Sequence, residues 1–194
     1  MTADLRAQVL DASVQLIGEV GLSGLSMREV ARRAGVSHQA PYHHFADKES
    51  IVAALVERGF VMLAERMEAK AAEKGAVAQR LSKVGREYVM FALEQPVFFR
   101  LMFRPELVDL TRFPTAQAAG ARALAVLERL IVERTEGTRA TPARREAMVS
   151  MHWAMVHGLS SLLLDGSLGY NHPNATERSK HVEQVLELFS QGVG

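Results

Sequence analysis

Residues 26–48, SMREVARRAGVSHQAPYHHFADK, crowd hydrogen-bonding and charged side chains into one short run. The amide of Gln39 can pair bidentately with an adenine edge, and the methyl of Ala40 suits a thymine methyl. His38 completes the same turn. Arg28, Tyr42, His43 and Lys48 offer guanidinium, hydroxyl, imidazole and ammonium groups suited to phosphate oxygens. Such contacts fix register on a duplex, while base-edge contacts specify sequence. The chemistry these residue types support is recognition of double-stranded DNA, with no bond made or broken.

Those side chains need two short helices and a tight turn to hold them. Ser26 is an N-cap with Glu29 three residues on, the spacing of a capping box. Met27, Val30, Ala31 and Ala34 then recur on one helical face, and Arg28, Arg32 and Arg33 fall largely on the other. Ala31 is small where a second helix must cross. Gly35 follows the last apolar position, where a left-handed residue ends a helix without a Cβ clash. Val36 is the expected buried residue of the turn, and Ser37 the next N-cap. A second helix is expected over residues 38–45. Pro41 sits in or at the end of its first turn, where few amide donors are needed. Asp47 caps a third helix starting at Lys48. This is a helix-turn-helix, whose second helix enters the major groove. A plain surface hairpin also gives helix–Gly–helix, but the caps, the small crossing residue and the polar second helix occur here together.

The run resembles the TetR family of bacterial transcriptional regulators over about residues 9–55. The matching features are Gly21, Ser26, Ala34-Gly35-Val36-Ser37, Tyr42-His43-His44-Phe45 and Lys48-Glu49. Pro41 departs from the pattern, which has Leu, Ile or Val before the Tyr. The Ala-Pro-Tyr variant resembles a subgroup with a C-terminal Trp-x3-His-Gly signature, present here as Trp153, His157 and Gly158. The resemblance implies a homodimeric regulator, most simply a repressor, on a palindromic operator. It also implies a small-molecule effector bound in the C-terminal domain.

The rest of the chain is helical in pattern, with helices expected at about 48–74, 77–95, 96–103, 115–136, 141–165 and 174–191. Gly75 and the loop marks Gly166, Gly169 and Pro173 separate some of them, and Thr141-Pro142 and Asn174 with Glu177 open two others. The expected fold is all-α with about nine helices. Residues 1–48 form a three-helix DNA-binding domain, and residues 49–194 a helical effector-binding and dimerisation domain.

With 194 residues, 48% hydrophobic, the chain can bury a sizeable core. It has no Cys, which excludes disulfides and thiolate metal sites. No stretch is expected to reach the roughly 20 apolar residues of a bilayer span. The start, MTADLRAQVLDA, has the pattern of a capped amphipathic helix and not of a signal peptide. A soluble cytoplasmic protein with no membrane partner is expected. Net charge is only +1, and the basic and acidic residues of 1–48 balance. That argues against strong non-specific DNA binding, which rests on neutralised phosphates.

Phe91, Phe98, Phe99, Met102 and Phe103 form the densest aromatic and methionine cluster, and Met151, Trp153, Met155 and His157 form another. Such residues build adaptable apolar pockets, suited to an apolar or aromatic effector. Helical apolar stripes also simply pack, and that reading stays open for each residue. His152 and His157 are five apart, a poor metal spacing, and no metal or cofactor is expected. Leu159, Leu162 and Leu163 on one helix, and Val182, Val185, Leu186 and Phe189 on the next, carry apolar faces. By the resemblance, these two helices pair with their twofold mates in a four-helix bundle. Packing inside one chain is the alternative.

No glycine-rich phosphate loop, paired catalytic carboxylates or nucleophile motif appears, so an enzyme is not expected. The rival is a helical ligand-binding or interaction module without DNA binding, which the neutral N-terminal region keeps open.

Overall fold

The computed structural model describes residues 2–168 and 174–192, so Gly169 and Pro173 lie outside the described residues. Among these there are eight α-helices: α1 (Thr2–Val20), α2 (Met27–Arg33), α3 (Lys48–Ala71), α4 (Val77–Glu94), α5 (Pro96–Met102), α6 (Pro114–Arg134), α7 (Pro142–Leu164) and α8 (Ala175–Gly192). Short 3-10 turns occupy Leu22–Gly24, Ala40–His43 and Leu110–Arg112. The chain is all-α, as its periodicity indicates.

Four of the expected caps form, at Ser26, Asp47, Thr141 and Asn174, whereas Ser37 caps no helix, because the 40–43 turn starts from Gln39. Ser26 Oγ accepts the Glu29 amide at 3.2 Å, and Thr141 Oγ1 accepts that of Arg144 at 3.2 Å. Asp47 Oδ1 accepts the Ser50 amide at 2.8 Å, and Ser50 Oγ takes the Asp47 amide in return. Asn174 Oδ1 accepts the Glu177 amide at 2.9 Å. At Ser26 only half of the capping box is present. The Glu29 carboxylate takes the fork of Arg32 at 2.9 and 2.5 Å instead of reaching back. Gly35 sits at φ 68°, in the left-handed region expected of it.

The expected helix over 38–45 is instead the 3-10 turn Ala40–His43. Proline is the reason. Continuing an α-helix from Ser37 needs the amide of residue 41 on the Ser37 carbonyl, and Pro41 has none. That carbonyl takes the Ala40 amide at 3.0 Å, and Tyr42 bonds to Gln39 at 3.1 Å in the same tight pattern. Val36, expected to be buried, is half-buried.

The described chain forms two compact units. The first comprises Met1–Phe60 and Val97–Ala118, the second Val61–Pro96 and Ala119–Gly194. In the first, α1 packs on α2 and on the 40–43 turn, over a core that includes Val9, Leu16, Val30, Phe45, Ile51 and Leu55. Gly59 on α3 lets α5 approach closely. A Cβ there would lie 2.6 Å from Met102 Sδ and 3.2 Å from Phe98 Cβ. Gly59→Val is therefore expected to lower stability by about 1–3 kcal/mol through overpacking, read as an earlier urea midpoint at unchanged slope. An unmoved midpoint would show that α5 shifts freely.

In the second unit α4 packs against both α7 and α8. Gly85 makes this close: a Cβ there would sit 3.1 Å from Leu186 and 3.3 Å from Val156. Helix α7 corrects the expectation that no stretch matches a bilayer span. Residues 147–164 carry no Asp, Glu, Lys or Arg, and α7 is long and apolar enough to cross a membrane. Its Met, Ala, Gly and Ser residues break up the obvious leucine-rich signal without adding charge. Only Val156, Leu159 and Ser160 of this helix are buried.

Candidate functional site

The residues expected to contact DNA lie in the first unit. Pro41 is fully buried and Phe45 is 3% exposed, so the 40–43 turn is anchored from below. Arg6 lies over the Phe45 ring at 5.6 Å. That anchoring leaves His38, Gln39 and His43 exposed, Tyr42 45% exposed and Ala40 half-buried. The rings of His38 and Tyr42 are 6.0 Å apart. Gln39, the expected base reader, therefore projects from a turn fixed at two apolar points.

The arginines of α2 divide by partner. Arg32 is held by Glu29, and Arg33 forks onto Glu19 at 2.6 Å through both terminal nitrogens. Each hydrogen bond holds its glutamate below the ordinary carboxylate range. Arg28 is exposed and forms no ion pair among the described residues, which leaves it able to meet a phosphate. Lys48 Nζ donates to the Leu22 carbonyl at 2.8 Å. An ammonium has three donors, so this bond steers Lys48 without exhausting it. Ser26 serves as a helix cap. Ser37 is exposed and supplies its carbonyl to the turn.

The first aromatic cluster is split between the units. Phe98, Phe99 and Met102 are buried in the first unit with half-buried Phe103. Phe60, which sequence reasoning did not single out, joins them edge-on to Phe103 at 5.5 Å, and Phe99 lies 5.2 Å from Phe103. Phe91 belongs to the second unit and is 0% exposed.

On α7 the second cluster also divides. Helical spacing sets Met151, Met155 and Leu162 on one side, and Trp153 and His157 on another. Trp153 and His157 converge on Tyr88 of α4. The indole N–H of Trp153 donates to Tyr88 Oη at 3.2 Å, and that oxygen lies 2.9 Å from His157 Nδ1. Burial pushes the Tyr88 phenol well up, offset in part by the Trp153 bond, and pulls the His157 imidazole down. His152 on the same helix bonds through Nδ1 to the Met148 carbonyl at 2.7 Å and meets the Phe189 ring edge-on.

Of the residues expected at a dimer surface, Leu159, Val182 and Leu186 are buried within the chain. Leu163, Val185 and Phe189 are half-buried, and Leu162 is 43% exposed. Leu188, not singled out by its spacing, is the most exposed large apolar residue of α8, at 69%. Among the described residues no group of three or more His, Asp or Glu could hold a metal ion.

Two family models match this chain. Residues 9–55 match bacterial regulatory proteins of the tetR family. Residues 81–188, more than half of the chain, match the tetracyclin repressor-like C-terminal domain. The chain belongs to the tetR family. Family membership makes it a regulatory protein and not an enzyme. The fatty acid metabolism regulator protein of Bacillus subtilis is 32% identical over 77 residues, 40% of each chain. The match thus spans well under two thirds of that relative. A Rhodococcus sp. RHA1 protein of unknown function superposes with a TM-score of 0.78 at 26% identity, covering 97% of this chain and 92% of its own. The Bacillus subtilis regulator FadR, solved with stearoyl-CoA, superposes at 0.75 and 19% identity, covering 97% and 99%. That likeness shows a shared fold over nearly the whole chain.

Proposed function

We propose that this chain is a homodimeric repressor that binds a palindromic operator and is released by a small apolar or aromatic effector. Residues 1–48 are the DNA-binding part and residues 49–194 the effector-binding and dimerisation part. The observation that carries the reading is the 40–43 turn. Pro41 and Phe45 are buried beneath it while Gln39, Tyr42 and His43 are exposed, and Arg28 is exposed with no ion pair among the described residues. In a twofold dimer two such turns sit about one DNA turn apart, ~34–36 Å, and meet successive major grooves. An effector releases the DNA only by as much as it prefers the non-binding conformation. Long-chain acyl compounds open the effector panel, because the FadR neighbour was solved with stearoyl-CoA. Contact with DNA places the protein in the cytoplasm.

The commitment of Arg32 and Arg33 to glutamates supports the rival reading, a helical module without DNA binding, because it lowers the positive charge open to phosphate. Fluorescence anisotropy on duplexes flanking the chain's own gene separates the two. Saturable, salt-sensitive binding that random DNA does not displace is expected. Absence of binding at low salt by a folded dimer favours the module. Within the same assay, Gln39→Ala is expected to lose about 1–3 kcal/mol on the preferred base and to relax preference there. Lys48→Ala is expected to weaken all duplexes alike and to flatten the salt slope by about one unit. Equal losses from both variants on every duplex would refute this division of roles.

A further inference from the structure

Glu49 stands in the first turn of α3, directly after Lys48. Two demands on that position conflict. A carboxylate in the first turn is favoured by the positive end of the helix dipole. A carboxylate beside a lysine that is to hold a phosphate repels the same phosphate. The basic and acidic residues of the first unit balance, so no surplus of positive charge hides a misplaced negative one.

Arg112 meets Glu49 from far along the chain. Its Nη1 donates to Glu49 Oε2 at 2.6 Å across 63 residues, and both residues belong to the first unit. The segment around Arg112 builds this placement. Asp109 Oδ1 accepts the amide of Thr111 at 3.0 Å and its hydroxyl at 2.6 Å. The Arg112 amide closes the turn on the Asp109 carbonyl at 3.0 Å, and its guanidinium lies over the Phe113 ring at 5.7 Å. The Arg112 side chain is 59% exposed and that of Glu49 30%. Ion pairs this open to water stabilise a fold little, so holding the fold together does not account for the pair.

We propose that Arg112 is a positioning residue of the DNA-binding surface: it cancels the Glu49 carboxylate beside Lys48 and so lets a phosphate approach. This rests on the reading of the chain as a DNA-binding repressor with Lys48 on a phosphate. It brings a residue from outside the helix-turn-helix into the electrostatics of DNA binding.

The test uses the full chain and anisotropy on the duplex flanking its gene, over a range of salt. Arg112→Gln leaves the pair one charge more negative, Glu49→Gln one more positive, and the double variant unchanged. Arg112→Gln is expected to weaken binding at least about threefold at ~0.15 M salt, and less as added salt shortens the Debye length. The loss is the same on operator and random duplexes, because phosphates carry no sequence. Glu49→Gln is expected to bind more tightly, and the double variant to return to within about twofold of wild type. Arg104→Gln is the control. It removes the same charge from an exposed position two residues beyond Met102, which packs on Gly59. Gly59 is ten residues from Glu49, about 15 Å along α3 and beyond the ~8 Å Debye length at this salt. Arg104→Gln is expected to cost less than half as much. A double variant as weak as Arg112→Gln would mean that Arg112 touches a phosphate itself, and overturns the cancellation. Unchanged binding by Arg112→Gln, weaker binding by Glu49→Gln, or an equal loss in Arg104→Gln overturns it as well. Wild-type protein that binds no duplex refutes the repressor reading and this proposal together, whereas those results with a wild type that binds refute the proposal alone.

Discussion

Leu162→Arg is expected to leave the chain monomeric at micromolar concentration and to weaken binding to a palindromic duplex by at least about a hundredfold. Helix α7 presents a long uncharged surface that the described residues leave largely unburied. Residues 147–164 have no Asp, Glu, Lys or Arg, yet only Val156, Leu159 and Ser160 of the helix are buried. Met151 is 38% exposed and Leu162 43%, and Leu188 of α8 is 69% exposed. Exposed apolar area on this scale marks an interaction surface. Small residues lie between the large ones: Ala147, Ser150 and Ala154 are exposed, and Gly158 has no neighbouring atom within 4 Å of its Cβ position. A second copy can therefore approach closely. In a twofold interface each side chain faces the matching surface of its mate, so one substitution brings in two guanidinium groups and buries both. Linking two binding modules through a dimer multiplies affinity by roughly 10²–10⁴ without a new contact, and that factor is what the monomer loses. Sedimentation velocity gives the mass and anisotropy gives the affinity. A dimer that survives Leu162→Arg would place the interface elsewhere.

The N-terminal part of the first unit was legible in the sequence because its determinants are local. Ser26 and Asp47 each cap a helix through an amide three residues away. Gly35 adopts the positive φ that only glycine adopts cheaply. The departures are also local, but they concern competition between partners. Glu29 had two calls on its carboxylate, and the arginine fork, a charge-assisted bidentate pair, is the stronger. Pro41 removes one amide, which is enough to turn an expected α-helix into a 3-10 turn.

The second unit was less legible because its determinants are distant in sequence. Tyr88 counts as an apolar position in a helical stripe, and nothing near it in the chain indicates that its hydroxyl meets Trp153 and His157, 65 and 69 residues further on. Leu159, Val182 and Leu186 have the same three-four spacing that a dimer surface would have, and they are buried within the chain. Periodicity finds the apolar face of a helix. It does not say whether that face meets its own chain or another. Composition likewise grouped Phe91 with Phe98 and Phe99, although they fall in different units.

Phe91 decides between two physical roles for that aromatic group. It is 0% exposed on α4, flanked by buried Val89 and Ala92. If it is core, Phe91→Ala costs the transfer energy of the ring together with the cavity that incomplete collapse leaves, about 3–5 kcal/mol. For a chain of this length that lowers the melting temperature by about 10 °C. It is also a large part of the ~5–15 kcal/mol that holds an ordinary domain folded. Phe91→Leu keeps most of the volume and should lose less than half as much. If Phe91 instead walls a void that an effector fills, removing the ring enlarges a space already present. The loss then shrinks, because few packed contacts are forfeited. Calorimetry of the two variants therefore separates a packing residue from an effector-lining one before any effector is known. A melting temperature within about 2 °C of wild type for Phe91→Ala would refute the core role. The full loss would restrict the search for the effector contact to side chains that remain partly open, Met155 and His157 among them.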